Sequence, residues 1–295
     1  MTCVFVTGGS GFAGSHLCAR LEDMGDEITR FEGDVRDLDS LRDALRAARP
    51  ESVAHLAAAS SVSQAWGDER SVWDINATGT LNLVLAVRDV AAHARVLVVS
   101  SAEVYGIVPA ERQPIVESEP LAPYSPYGLS KAAADLIAMQ SSLDVAVVRP
   151  FNHIGPGQDS RFAIASFCAQ IARIERSESP PTIKVGNLDA RRDLSDVRDV
   201  VEAYRLLLAP SGPRGPLNVA SGQAHRMGDV LDSLIALASC PIETAIDAQR
   251  FRPSDVPLLC GDASRLASAT GWAPGFTLAR TLADTLDAAR RAASA

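Results

Sequence analysis

Paired cysteines, long apolar runs and surplus positive charge are all missing from this 295-residue chain. Its five cysteines, Cys3, Cys18, Cys168, Cys240 and Cys260, are odd in number, widely spaced and mostly in apolar surroundings, and no CxxC occurs. That pattern suits reduced core thiols in the cytoplasm better than a disulfide framework or a zinc site. No stretch approaches the roughly 20 apolar residues of a membrane span. No basic segment leads an apolar one at the N-terminus, so neither a membrane partner nor a targeting signal is expected. A formal net charge of −8 argues against non-specific nucleic-acid binding, and an anionic ligand would need a local cluster of arginines. Repeats, low-complexity tracts and charge runs are also lacking. What remains, 47% hydrophobic and 22% charged residues, is an ordinary globular composition with enough chain for one large or two unequal domains.

Cys3 to Val6 is a short β-rich run, followed by Thr7-Gly8-Gly9-Ser10-Gly11-Phe12-Ala13-Gly14 and a helical pattern through Leu17 and Leu21. Strand, glycine turn and helix together form the context of a dinucleotide phosphate site. Gly8 and Gly11 permit the tight turn, Gly14 permits close helix–strand packing, and the helix N-terminus faces the pyrophosphate, although the spacing is GxxGxxG rather than GxGxxG. Glu27 to Phe31 reads as a second strand, and it, its loop and a third strand are compressed into little more than ten residues before a helix from Leu38 to Ala48. Arg30 is placed to meet a 2′-phosphate, which favours NADP with NAD possible, but it reads equally as a surface residue beside a shortened loop. Asp34 reads either as an acceptor for the adenine amino group or as a helix cap. Ser52 to Ala58 is the next buried strand, whose small residues let a cofactor lie on it, and His55 reads as a packed strand residue rather than a catalyst. Asn76 is expected to open a helix running from Ala77 to Val90.

Ser125-Pro126 reads as an N-cap followed by proline at the first helical position, so Tyr127 and Lys131 share one helix face. A cation within a few Å lowers a phenol pKa by roughly 1–3 units and brings it into acid–base range. Arg95 to Ser101 and Val145 to Pro150 are buried strands, and Ser101 sits at a carboxyl end, where catalytic groups collect in open α/β sheets. Alternating strands and helices predict an α/β fold: a doubly wound, mostly parallel Rossmann sheet over residues 1–152, with a return segment at about 193–222. A smaller, C-terminal substrate domain takes most of 153–295. Leu278, Leu282 and Leu286 mark one face of a final docking helix.

In order and spacing, TGGSGFAG, LAAAS, SSAEVYG and YGLSK resemble the extended short-chain dehydrogenase/reductases of the nucleotide-sugar epimerase/dehydratase group. RPFNHIGPGQ at 149–158 and VGNLDARRDLSDVRD at 185–199 look most like the GDP-4-keto-6-deoxy-D-mannose reductases. The resemblance implies a catalytic set of Ser101, Tyr127 and Lys131: a phenolic acid–base, a hydroxyl polarising the reacting oxygen, and an ammonium that binds the ribose and lowers the Tyr127 pKa. It implies a dinucleotide held by Gly8, Gly11, Phe12, Ala13, Gly14, Arg30, Asp34, Val35, Leu56, Ala57, Ala58, Tyr127 and Lys131. Asn152, Arg192 and Arg252 become ligands of a GDP-sugar, while His153 and Gln158 remain without roles. The activity implied is NAD(P)H-dependent reduction of a GDP-4-keto-6-deoxyhexose, by a homodimer built on a four-helix bundle. The rivals are a GDP-mannose 4,6-dehydratase, in which Glu103 would be a base, a 4-epimerase, and a non-catalytic dinucleotide sensor. Against a dTDP-glucose dehydratase, Ala102 stands where that group carries aspartate.

Overall fold

The strands read from the sequence alternate with helices, and the side chains sort themselves to two faces by the period of two that strands impose. In the computed structural model, which describes residues 2–60, 65–250 and 256–294, the chain runs β1 (Cys3–Thr7), α1 (Phe12–Asp23), β2 (Glu27–Phe31), α2 (Leu38–Ala48), β3 (Ser52–His55), α3 (Glu69–Trp73), α4 (Gly79–Val90), β4 (Arg95–Val99), α5 (Pro126–Met139) and β5 (Val145–Pro150). It continues through β6 (Asn152–Ile154), α6 (Ala163–Glu175), β7 (Thr182–Val185), β8 (Arg191–Asp196), α7 (Val197–Leu208), β9 (Gly215–Val219), β10 (Ala224–Arg226), α8 (Met227–Ile235), β11 (Glu243–Ile246), β12 (Leu258–Leu259), α9 (Ser264–Thr270) and α10 (Leu278–Ser294).

Six strands form a wholly parallel sheet in the order β2-β1-β3-β4-β5-β9. Val4, Val6 and Leu97 point to one face, under Leu17 and Leu21 of α1 and Val200, Tyr204 and Leu207 of α7. Phe5, Val53, Val96 and Val98 point to the other, under Leu41 and Leu45 of α2 and Leu83 and Val87 of α4. Each fully buried aliphatic side chain of this kind contributes roughly 1.5–3 kcal/mol, and here both sheet faces are covered, as parallel sheets require. A second sheet is built on β8, flanked by β10, β12 and β6, with β7 and β11 paired separately. The third core packs Phe167 and Ile171 of α6 against Leu231 and Leu234 of α8 and Leu282 and Leu286 of α10. The last helix thus docks through its leucine stripe.

Two local expectations are corrected. Residues 32–37 form no third strand; they lead directly to α2, whose N-terminus Asp37 caps by accepting from the amides of Asp39 and Ser40. Asn76 does not open a helix. It lies inside a π turn, Asp74–Thr78, that joins α3 to α4, and its side chain is buried rather than capping. Among the described residues no helix is long and apolar enough to cross a membrane.

Candidate active site

The glycine turn after β1 is shaped for close approach. Gly8 takes φ +71°, and a Cβ there would lie 2.6 Å from the amide nitrogen of Ala57, just past β3. At Gly14 a Cβ would strike the carbonyl oxygen of Gly8, so both positions require glycine for the loop to close against its neighbours. Gly11 stands at the N-cap of α1 without a side chain to satisfy the first amides, and no acidic residue occupies the first turn. Those outward N–H groups and the helix dipole suit a diphosphate, and Phe12 and Ala13 are the first residues of that turn. Leu56, Ala57 and Ala58 are partly exposed beside it. The residues present therefore fit a dinucleotide.

Arg30, at the end of β2, packs its stem near Gly9 and carries its guanidinium to Glu22 at 2.7 Å. Asp34 is gripped by Arg36, whose Nε donates to both carboxylate oxygens at 2.9 Å, and this neighbour holds Asp34 below the ordinary carboxylate range. Val35 is buried against Gly79.

Ser101, Tyr127 and Lys131 lie about the carboxyl end of β4. Ser125 caps α5 by accepting from the amide of Gly128 at 3.0 Å, with Pro126 in the first turn, so the helix starts where the residue pattern places it. Tyr127 follows, 8% exposed, its ring packed with Ala59, Ala65 and Val72. Ser101 lies just past β4. Its Oγ accepts from the amide of Glu103 at 3.2 Å, which leaves the hydroxyl proton available to donate toward the Tyr127 phenol, whose pKa it lowers.

The expectation that Lys131 draws the phenol toward neutrality is corrected. Tyr127 is pushed up to about 12, first by burial and then by the charge of Glu103, while the Ser101 hydrogen bond opposes the rise. Lys131 directs its ammonium elsewhere, donating to the carbonyl of Val99 at 2.6 Å. Burial lowers Lys131 to about 8, against the opposing influence of Asp135. The phenol is therefore a protonated acid at neutral pH.

Long-range polar partners that no local pattern reveals surround this set. Asp135, one turn beyond Lys131 and wholly buried, receives Arg149 of β5 at 2.7 and 3.2 Å. Arg149 also donates to the Tyr105 hydroxyl at 3.1 Å, and that hydroxyl donates to Asn218 of β9 at 2.7 Å. Asn76 reaches α5 by donating to the Ser130 hydroxyl at 2.9 Å.

Across the cleft, β6 pairs with β8 so that Asn152 stands opposite Leu194, two residues from Arg192. Asn152 is exposed, and the Arg192 guanidinium donates to the carbonyls of Arg191 and Val256 at 3.0 and 2.6 Å. Next to it, buried Asp193 accepts from the amides of Ser221, Gly222 and Gly261 and so anchors β8. Arg252 lies outside the described residues. His153 stacks on Phe12 at 5.9 Å between centroids, and His16 of α1 donates through Nε2 to the carbonyl of Pro156 at 2.8 Å. Gln158 donates to the carbonyl of His153 at 2.9 Å. These contacts fasten the loop after β5 to the glycine-turn helix.

A glycine cradle on α1 with a Ser-Tyr-Lys set at the carboxyl edge of a parallel sheet defines a dinucleotide-dependent oxidoreductase. The model of the GDP-mannose 4,6 dehydratase family matches residues 22–285, and the chain belongs to that family of nucleotide-sugar enzymes. The chain is 37% identical to the GDP-6-deoxy-D-mannose reductase of Pseudomonas aeruginosa, over 95% of this chain and 94% of that protein. It is 28% identical to the GDP-6-deoxy-D-talose 4-dehydrogenase of Aggregatibacter actinomycetemcomitans, over 95% of each. Among solved structures, RMD from Pseudomonas aeruginosa complexed with NADPH superposes with a TM-score of 0.92 at 35% identity, covering 99% of this chain and 100% of that one.

Proposed function

We propose that this protein reduces the C4 keto group of a GDP-4-keto-6-deoxyhexose to a GDP-6-deoxyhexose such as GDP-rhamnose, with NADPH as the preferred reductant and NADH as a possible one. What carries this reading is a protonated Tyr127 beside Ser101 and the glycine cradle, in a chain similar to the P. aeruginosa reductase along nearly its whole length.

The nicotinamide cofactor supplies the hydride when bound; the protein supplies placement and the proton. Gly8, Gly11, Gly14 and the first amides of α1, with Phe12 and Ala13, hold the pyrophosphate. Arg30 meets the 2′-phosphate, Asp34 and Val35 border the adenine, and Leu56, Ala57 and Ala58 line the floor. Tyr127 donates its proton to the sugar ketone oxygen as charge gathers there, and Ser101 donates a second hydrogen bond to the same oxygen. Glu103 favours the protonated phenol before turnover, which suits a proton donor. Lys131, whose ammonium is held at the Val99 carbonyl, binds the ribose hydroxyls. Asn152, Arg192 and Arg252 hold the diphosphate and sugar through amide and guanidinium donors.

Residues 1–152 with the return segment 193–222 form the cofactor domain in this reading, and the rest of 153–295 the substrate domain. Exposed Trp73, Leu81, Leu129, Leu136 and Met139, on α3, α4 and α5, support a homodimer through a four-helix bundle. Cysteines without disulfides support a cytoplasmic setting.

The test mixes purified protein with GDP-mannose alone and, separately, with NADPH and the preformed 4-keto sugar. NADPH oxidation in the second mixture only is expected. A 4-keto product from GDP-mannose alone would favour the dehydratase reading, and no turnover in either would favour a dinucleotide sensor.

A further inference from the structure

His55, at the carboxyl end of β3, is buried between two hydroxyls. Its Nδ1 lies 2.7 Å from Thr7 Oγ1, and its Nε2 lies 3.1 Å from Thr80 Oγ1. Thr7 opens the glycine turn, and Thr80 lies in the first turn of α4. Counting protons fixes the direction of every bond. Thr80 has one hydroxyl proton, and it goes to the carbonyl of Asn76 at 2.6 Å, because a carbonyl only accepts. Thr80 Oγ1 must then accept from His55, so Nε2 carries the ring proton. In a neutral ring Nδ1 is left as the acceptor, and Thr7 donates to it. Thr7 Oγ1 in turn accepts from the amide of Ala57 at 3.3 Å. Beyond Thr80 the bonding continues through one residue, since the Asn76 side chain donates to Ser130 Oγ at 2.9 Å, and Ser130 donates to the carbonyl of Tyr127 itself at 2.8 Å. The Asn76 amide is held by both main-chain groups of Ala59, at 2.9 and 3.2 Å. Thr7, His55, Asn76, Thr80 and Ser130 are each at most 2% exposed, so water does not compete for these partners.

We infer that His55 is a positioning residue: the chain Thr7, His55, Thr80, Asn76, Ser130 locks the first turn of the catalytic helix to the glycine turn that holds the cofactor, with a single arrangement of protons. The ring stays neutral, because burial and then the nearby Lys131 ammonium hold it down to about 3. Asn76 joins the two ends in one residue, its carbonyl accepting from Thr80 and its side-chain amide donating to Ser130. The inference rests on Tyr127 as the proton donor. It adds that the distance between donor and nicotinamide is set from the far side of the sheet edge, by groups that touch neither ligand.

Two measurements test it. In protein labelled with nitrogen-15 histidine and free of cofactor, one of the five histidines should show the Nε2–H tautomer with no titration down to pH 5. It should change state in Thr80→Val and keep it in Thr80→Ser. A ring with the proton on Nδ1, or one titrating in the ordinary histidine range, would overturn the inference. In the second, Thr7→Val and Thr80→Val should each lower kcat about tenfold and raise the deuterium isotope effect on kcat from 4-deuterated NADPH. The double variant should lose about tenfold as well rather than the hundredfold of independent sites, because either change breaks the same chain. Thr80→Ser should recover wild-type values. A merely structural role would reduce the active fraction and leave the isotope effect unchanged; that outcome, or a multiplicative double variant, refutes the coupling. Tyr127→Phe, assayed in parallel, separates the cases, because retained turnover in that variant would sink the proton-donor assignment instead.

Discussion

Lys131 illustrates a conflict between stability and function that can be worked from the structure. The residue is 5% exposed, its ammonium donates to the Val99 carbonyl, and burial lowers its pKa from the ordinary 10.5 to about 8. Holding a proton against that burial costs the cofactor-free fold of order 3 kcal/mol at pH 7. Lys131→Met keeps the stem and removes the charge, but it leaves the Val99 carbonyl unpaired, which costs about 1 kcal/mol. The variant should therefore be more stable than wild type by about 2 kcal/mol in urea unfolding at pH 7 without cofactor. The sign with pH follows from proton counts. The unfolded lysine keeps its proton to about 10.5 and the folded one releases it near 8, so between these values the unfolded chain binds more protons and wild-type stability rises with pH. The gap between the proteins should narrow by roughly 2 kcal/mol at pH 9.5. NADPH should reverse the order, since the variant lacks the group proposed to hold the ribose. A cofactor-free variant less stable than wild type at pH 7, or a gap that ignores pH, would refute the reasoning.

Three further changes follow from the same structure. Arg30→Ala should cut the preference for NADPH over NADH by about 10- to 100-fold if the proposed charge-assisted contact with the 2′-phosphate forms; unchanged cofactor Kd values would remove Arg30 from the site. Arg149→Met should destabilise the protein by about 3–5 kcal/mol by leaving Asp135 buried without its partner, and adding Asp135→Leu should recover most of it, as read by urea unfolding. Gly8→Ala should weaken NADPH binding at least about tenfold in a fluorescence titration with the far-UV spectrum intact, since the backbone there is left-handed and the new methyl meets Ala57.

Much of this architecture is written locally. The β1 run, the glycine turn and α1 declare themselves through β-branched residues, glycines and a 3.6-residue period within one short stretch, and Ser125-Pro126 marks the start of α5. Tyr127 and Lys131 are legible because a helix fixes the spacing of neighbours. Their electrostatics are not, because they depend on burial and on where the ammonium points, and Lys131 points to Val99. The third strand expected beside Asp34 fails for a related reason: a capping aspartate at 37 and the leucine stripe of α2 outweigh a short polar segment. Asn76 looks like a cap by composition, yet its partners are Ala59 and Ser130, far away in the chain. His55 and Arg149 likewise look like single strand residues until tertiary contacts supply Thr7, Thr80 and Asp135.

The most direct measurement is single-turnover oxidation of bound NADPH by the preformed GDP-4-keto-6-deoxy sugar, in wild type and in Tyr127→Phe at equal cofactor saturation. Rapid oxidation by wild type and a loss of at least about a hundredfold in the variant is the predicted result. Equal rates in the two proteins would contradict a phenolic proton donor at this site.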